Sequence, residues 1–164
     1  MKKLSTKGQK WLKCFHLLFV CLWVAGVIAM ALMIYLMKAT DGMELYGIDI
    51  SKKFIDDFII IPGGIGSFVT GLLYSIFTNW GWFKHRWIIT KWVITLFGII
   101  FGTFWLGPWL NVMPPISLQK GLAALSDPTY MHSQQMLLVW VPLTLALVLF
   151  ALFISVLKPW KKKR

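Results

Sequence analysis

Four side chains in this 164-residue chain could carry acid–base or metal chemistry in apolar surroundings: His16, Tyr74, His85 and Lys91. Histidine is the usual axial ligand of haem iron, and ionisable groups at membrane depth are commonly functional. We predict His16 as a metal ligand, His85 as a residue beside the cofactor, and Lys91 and Tyr74 as catalytic groups. All four lie in, or next to, long apolar stretches at what we expect to be one depth.

Each of these residues also has a simpler interpretation. A haem with two histidine ligands needs both at one depth, whereas His132 lies at the opposite surface and His85 in a loop. A single-ligand haem, or His16 with a loop or lysine partner, stays possible. Alternatively, His16 is an interfacial residue bonded to a backbone carbonyl or to water. The long stem of Lys91 could likewise snorkel toward lipid headgroups.

The elements that must position these residues are four apolar stretches. The chain is 58% hydrophobic and 14% charged, with a mean hydropathy of +0.70, which is more apolar surface than a soluble domain of this size can bury. A membrane core about 30 Å thick needs roughly 20 apolar residues per helix. We predict an antiparallel bundle of four transmembrane helices forming one domain over 1–164, with spans at about 14–37, 58–77, 87–110 and 136–157.

Charge sets the expected orientation of the bundle. Of the 17 Lys and Arg residues, 12 lie in the N-terminal, central and C-terminal polar segments and a thirteenth, Lys91, lies early in the third span, at the same side. All six acidic residues lie in the two segments between. Cytoplasmic loops of membrane proteins collect Lys and Arg. We therefore expect both termini in the cytoplasm of a bacterium, a multi-pass protein of its cytoplasmic membrane, and a basic tail on anionic headgroups. The net charge of +11 is explained without nucleic acid.

The two outer segments, 39–57 and 111–135, are predicted to be loops, each with a possible short interfacial helix. Asp56 and Asp57 begin the second span, and His132 precedes the fourth. Two carboxylates with a histidine could bind a cation, but acidic residues also favour helix N-termini as solvated groups. The first span is expected to be a retained helix and not a cleaved signal peptide, because no small-residue cleavage site follows it.

Glycines recur on one face of two predicted spans. Gly63, Ser67 and Gly71 are spaced by four residues, and Gly98 and Gly102 share a face with Lys91. Small residues let helices approach closely. They could also leave room for a flat ligand, and in that interpretation Gly71 and Gly98 line a porphyrin site.

The sequence lacks the motifs for a disulfide, for nucleophilic catalysis, for phosphate binding and for a metalloprotease site. Cys14 and Cys21 are seven residues apart on one predicted helix, too far for a disulfide. The chain has no nucleophile–base motif, no glycine-rich phosphate loop and no metalloprotease motif.

The first half of the chain resembles the HemJ-type protoporphyrinogen oxidases and the wider CopD-like group of small bacterial membrane proteins. The resemblance covers roughly residues 11–95. It is carried by Trp11-x-Lys13-x-x-His16, by Trp23-x-Ala25-Gly26, by Pro62 and Gly71 in the second span, and by Lys91 in the third.

The resemblance implies a four-helix membrane protein that binds haem b and oxidises protoporphyrinogen, with His16 haem-linked and Lys91 functional. The chain departs from that pattern at Met33–Met37, where the family has a basic, histidine-containing end, and in its longer outer loops. It is more similar to the CopD-like integral membrane proteins of Gram-positive bacteria.

Three classes of function are compatible with these patterns. The leading hypothesis is a haem- or porphyrin-binding redox protein acting at the cytoplasmic side; as an enzyme it would be a membrane oxidoreductase of porphyrinogen-oxidase type. The second is a transport component for a small solute or a metal. The third is a structural protein whose glycine face docks a partner subunit or a second copy as a homodimer.

Overall fold

The computed structural model describes residues 4–78 and 86–158, and both stretches are almost entirely helical. No β-strand occurs within these two ranges. A π-helical turn at Asp56–Ile60 joins α2 to α3, another at Gly102–Leu106 joins α4 to α5, and a 3-10 helix at Gly121–Ser126 precedes α6. The α-helices are α1 (Thr6–Leu36), α2 (Gly42–Ile55), α3 (Ile61–Phe77), α4 (Arg86–Phe101), α5 (Gly107–Lys120) and α6 (Pro128–Leu157).

Four helical units of the described chain are long and apolar enough to cross a membrane, as the sequence predicts. They are Thr6–Leu36, Gly42–Phe77, Arg86–Ser126 and Pro128–Leu157. Between 11 and 28% of the residues in the most apolar window of each unit are buried inside the protein. Most apolar side chains therefore face outward, where lipid would cover them.

The two predicted outer loops are mostly helical. Segment 39–57 contains α2, which begins at the Asp41 cap and continues through a π-helical turn into α3. Segment 111–135 contains the end of α5, the 3-10 helix and the start of α6. The short helices expected there are thus extensions of the long ones. Helix α2 packs against α5, so each extension buries a face that it could not bury alone.

Helices α1 and α3 form the closest pair, and they run antiparallel. A Cβ atom added to Gly63 would lie 2.6 Å from the Trp23 backbone nitrogen. Further along, Gly66 meets the Phe19 ring and Gly71 meets the His16 ring. Residue numbers rise on α3 as they fall on α1. The glycines thus allow two helix backbones to approach closely.

Helix α6 completes the bundle by packing against α1, α4 and α5. The Tyr35 hydroxyl donates a hydrogen bond to the Leu138 carbonyl oxygen at 2.7 Å. The rings of Phe101 and Trp140 have centroids 4.7 Å apart, and Phe68 of α3 meets Trp92 of α4 at 5.5 Å. The four units therefore close into a ring around a core that includes Trp23, Met30, Met113, Tyr130, Leu137 and Val141.

Each π-helical turn is followed by a proline in the same register. Pro62 is six residues after Asp56, and Pro108 is six residues after Gly102. Proline lacks the N–H that an α-helix needs, and its ring clashes with the carbonyl four residues earlier. Widening the preceding turn to the π form relieves that clash.

The two ends of the bundle differ in what they contain. We call the end with α2, α5 and the 3-10 helix the α2 end. We call the opposite end, where α1 begins and α6 finishes, the termini end. At the termini end the Leu4 backbone N–H donates to the Phe77 carbonyl oxygen at 3.2 Å.

Candidate functional site

At the termini end, His16 of α1 is hydrogen-bonded to α3. Its Nδ1 lies 2.9 Å from Thr70 Oγ1, and the Thr70 hydroxyl is 2.5 Å from the Gly66 carbonyl oxygen. Because the hydroxyl hydrogen is directed to that carbonyl, Thr70 Oγ1 accepts from His16. This network assigns the proton of a neutral His16 ring to Nδ1 and leaves the Nε2 lone pair available.

The predicted glycine positions have different neighbours. Gly71 faces the His16 ring, where an added Cβ would lie 3.5 Å from Cε1. Gly98 faces the indole of Trp23, where an added Cβ would lie 3.0 Å from Cζ2. The same indole lies beside Gly64, and the Phe19 ring lies against Gly66. The space left by most of these glycines is filled by aromatic side chains of α1.

Lys91 and Tyr74 are both half-buried near His16 along the bundle. The Lys91 ammonium is close enough to act electrostatically on His16, and it also lies 5.9 Å from the Trp87 ring centroid. Among the described residues, no hydrogen bond joins the Tyr74 hydroxyl to His16 or Lys91. His85 lies outside the described residues. The termini end thus brings His16, Gly71 and Lys91 together.

The outer carboxylates and His132 do not form a cation site. Asp57 is paired with Lys53, their charged atoms 2.9 Å apart. His132 packs against Trp109, with ring centroids 6.2 Å apart, whereas Asp56 faces a cavity inside the bundle. Within residues 4–78 and 86–158, no group of three or more His, Cys, Asp or Glu side chains could hold a metal ion.

A larger cavity, which the sequence did not predict, lies at the α2 end. Its volume is about 300 Å³, within the range of small-ligand sites. Met33, Leu45, Met113 and Leu137 are among its apolar walls. Its polar lining comprises Tyr35, Lys38, Lys52, Tyr130 and Gln134.

Two residues of the cavity lining, Lys52 and Tyr130, belong to a buried polar group whose third member, Asp49, lies behind the lining. Lys52 Nζ lies 2.7 Å from Asp49 Oδ1, and the Tyr130 hydroxyl donates to Asp49 Oδ2 at 2.9 Å. Asp49 is 0%, Lys52 6% and Tyr130 1% exposed. Among the described residues Oδ1 accepts no hydrogen bond of good geometry, so its ion pair with Lys52 compensates its charge.

The sequence contains a signal for this buried group. Leu45, Ile48, Asp49 and Lys52 are spaced as i, i+3, i+4 and i+7, which places them on one face of a helix. The polar composition of segment 39–57 is typical of a loop, which conceals this buried face in the sequence. The Tyr130 partner is 81 residues from Asp49, and no local pattern indicates it.

Close to this cavity, Asp127 caps the N-terminus of α6. Its Oδ1 accepts from the backbone N–H groups of Thr129 and Tyr130, at 2.9 and 3.1 Å. Its Oδ2 accepts from Lys120 Nζ at 2.6 Å. The hydrogen bond from Lys120, helped by those from the backbone, lowers the pKa of Asp127 below its usual value. This cap holds the 3-10 helix and α6 in their mutual orientation.

A second, smaller cavity of about 50 Å³ lies deeper in the bundle. It is bordered by both π-helical turns, through Asp56 and Ile60 of the first and Gly102 and Leu106 of the second. Leu137 borders this cavity as well as the larger one.

Comparison with known protein families, curated proteins and solved structures finds no match to this chain. The resemblance to the HemJ-type and CopD-like proteins therefore stays a prediction.

Proposed function

We propose that the protein is a membrane component that binds a small amphiphilic anion in the cavity at its α2 end, as part of solute uptake or sensing. The observation that supports this most directly is the charge of the lining. Lys38 and Lys52 are its charged residues, and no acidic side chain of the described residues lines it. Asp49, which lies outside the lining, neutralises the charge of Lys52. The remaining net charge of about +1 comes from Lys38.

The chemistry of the walls indicates what kind of anion fits. A lysine ammonium has three donors, and Asp49 occupies one direction around Lys52. Gln134 adds an amide at the same surface. The remaining walls are mainly Met, Leu and Ile side chains. A ligand with a carboxylate or similar head and a short apolar body would satisfy both parts of the cavity.

The proposal includes an orientation. The basic termini favour a cytoplasmic location, which would put the α2 end and its cavity on the outside of a bacterial cytoplasmic membrane. A solute arriving from outside would then meet the cavity first. Anionic lipid headgroups would contact the basic tail at the other surface.

Ligand-dependent stability in detergent tests this proposal. Hexanoate, hexylamine and hexanol share an apolar body and differ in head-group charge. We expect hexanoate to raise the unfolding temperature, since a ligand that binds the folded state stabilises it by about 2.7 kcal/mol at 100 times its Kd. Hexylamine and hexanol should give much smaller shifts.

The matched variants are Asp49→Asn with Lys52→Gln, and Lys53→Gln. The double change removes the Lys52 ammonium from the cavity together with its Asp49 counterion, so that no buried ion is left alone. Lys53, in contrast, bonds Asp57 and Asn111 and does not line the cavity. The hexanoate shift should fall clearly in the double variant, where Lys38 is the one charged side chain left in the described lining, and persist in Lys53→Gln. Equal shifts by all three compounds, or an undiminished shift in the double variant, would refute anion binding at this site.

A second candidate function is the binding of haem b at His16, which the hydrogen bond to Thr70 favours. Metal-bound histidines commonly donate their other ring N–H to a protein oxygen, which fixes the ring. The His16–Thr70 bond has that form. His16 would be the ligand, with Gly71 beside its ring and Lys91 available to a propionate. The haem iron would supply one-electron chemistry.

The surrounding packing limits where such a haem could lie. Trp23 and Phe19 fill the space beside Gly64, Gly66 and Gly98, so a haem would have to contact the bundle next to His16 and not between α1, α3 and α4. For the purified protein supplied with haem b, this candidate expects a Soret band that is lost in His16→Ala and retained in His132→Ala. A spectrum that His16→Ala leaves unchanged would exclude it.

A further inference from the structure

The smaller cavity contains one carboxyl group, that of Asp56. Residues from four directions enclose it: Trp23, Val27 and Met30 of α1, Gly98 of α4, Leu110 of α5, and Leu137, Val141 and Thr144 of α6. All of these except Thr144 present apolar or weakly polar surface. A cavity of about 50 Å³ is large enough for a few water molecules, which need one probe volume of roughly 10–15 Å³ each.

Asp56 differs from its neighbour in having no charged partner in contact. Asp57 is paired with Lys53 at 2.9 Å. Among residues 4–78 and 86–158, no side chain or backbone group makes a hydrogen bond or ion pair with the Asp56 carboxyl group. The two carboxyl groups are adjacent in sequence, but they differ in what surrounds them.

No opposite charge faces Asp56 from the other helices. On its own helical unit, Asp57 and Lys53 are the nearby charged groups, and they compensate each other. The residues of α1, α4, α5 and α6 that line the cavity include no titratable side chain. A half-buried carboxylate in such surroundings is poorly solvated. These surroundings therefore favour the neutral acid over the carboxylate.

The π-helical turns make this position possible. Asp56 is the first residue of one turn, and Gly102 is the first residue of the other, facing the same cavity. Apart from its chain neighbours and the backbone of its own helix, no described atom lies within 4 Å of a Cβ built on Gly102, so open space remains at that wall. Such turns occur rarely and often accompany functional sites. In this chain Pro62 and Pro108, each six residues after the start of a turn, favour the π form at both places.

We propose that Asp56 is a proton-binding site in the interior of the helix bundle, with water in the small cavity and the Thr144 hydroxyl as its exchange partners. The proton binds to one Asp56 carboxylate oxygen and leaves by the same route to cavity water. This inference does not depend on the proposed anion site, because it uses a different cavity and different residues.

Labelling with a hydrophobic carbodiimide tests the proposal in the unmodified full-length chain. This reagent adds to a protonated carboxyl group in apolar surroundings and forms a stable N-acylurea that keeps every atom of both partners. Peptide mass spectrometry of protein in detergent, labelled near neutral pH, should find the adduct on Asp56. Asp57, in the same peptide, serves as the internal control and should stay largely unlabelled. Labelling of Asp56 should fall several-fold at alkaline pH.

Infrared spectroscopy provides a second measurement. The carbonyl stretch of a protonated carboxylic acid should be present near neutral pH, be lost in Asp56→Asn and be retained in Asp57→Asn. If Asp56→Asn does not fold, Asp56→Glu should keep the band at a displaced frequency. Equal labelling of Asp56 and Asp57, labelling that does not change with pH, or a band that is independent of Asp56 would each overturn the proposal.

Discussion

At the scale of single residues, the most consequential contact is the buried ion pair between Asp49 and Lys52. Removing both charged side chains from water costs free energy. The Tyr130 hydroxyl donates a hydrogen bond to Asp49 Oδ2, the carboxylate oxygen that Lys52 does not contact. An apolar pair could stabilise the bundle equally well. Retaining two opposite charges beside a ligand-sized cavity suits a site that must hold an ammonium at a fixed position.

This pair yields a prediction about stability. Asp49→Asn or Lys52→Gln alone leaves one buried charge uncompensated, and we expect each to lower the free energy of unfolding by about 3–5 kcal/mol. The double variant should lose clearly less than the sum of the two. Denaturant unfolding in detergent measures all three values.

The control for that cycle is the neighbouring pair of Lys53 and Asp57, whose side chains are 33 and 37% exposed. Exposed pairs contribute at most about 1 kcal/mol, so Lys53→Gln should have little effect. If Lys52→Gln cost no more than Lys53→Gln, Asp49 could not be a buried carboxylate that depends on Lys52 for charge compensation.

At the scale of elements, α1 and α3 pack closely through glycines of α3, which is one of the two interpretations that the sequence pattern allows. Gly63→Ala would place a methyl group against the Trp23 backbone, which cannot move as a flexible side chain could. We expect a loss of several kcal/mol, comparable with severe overpacking, measured by thermal unfolding in detergent.

Gly47→Ala is the matched control, since nothing lies within 4 Å of its added Cβ and the residue is inside α2. Alanine there should stabilise the helix by about 0.5–1 kcal/mol. Similar effects at Gly63 and Gly47 would mean that α1 and α3 are farther apart than described.

The sequence predicts the four long helices because each contains an apolar stretch that composition alone reveals. It does not predict α2 or the end of α5 as parts of those helices, since their polar residues and prolines are typical of loops. The deciding factor is tertiary: α2 and α5 bury each other's apolar faces. For the same reason the sequence does not predict the hydrogen bond between Tyr130 and Asp49, which are 81 residues apart.

At the scale of the whole molecule, the asymmetry of charge predicts how the bundle lies in a membrane. In a chain without Cys14 and Cys21, Ser51→Cys at the α2 end should react with a membrane-impermeant thiol reagent added to intact cells. Ser5→Cys at the termini end should react only after lysis. Both serines are exposed in the structure. The reverse pattern would put the cavity at the cytoplasmic surface and contradict the proposed route of the ligand.

Leu137 borders both cavities and is itself 2% exposed. Among the described residues, Leu137 is the one that lines both the cavity proposed to take the anion and the cavity proposed to hold the proton-binding acid. Replacing Leu137 with alanine would remove three carbon atoms from this shared wall and leave extra space between the two cavities. We expect any exchange between the two proposed sites to depend on the size of this one aliphatic side chain.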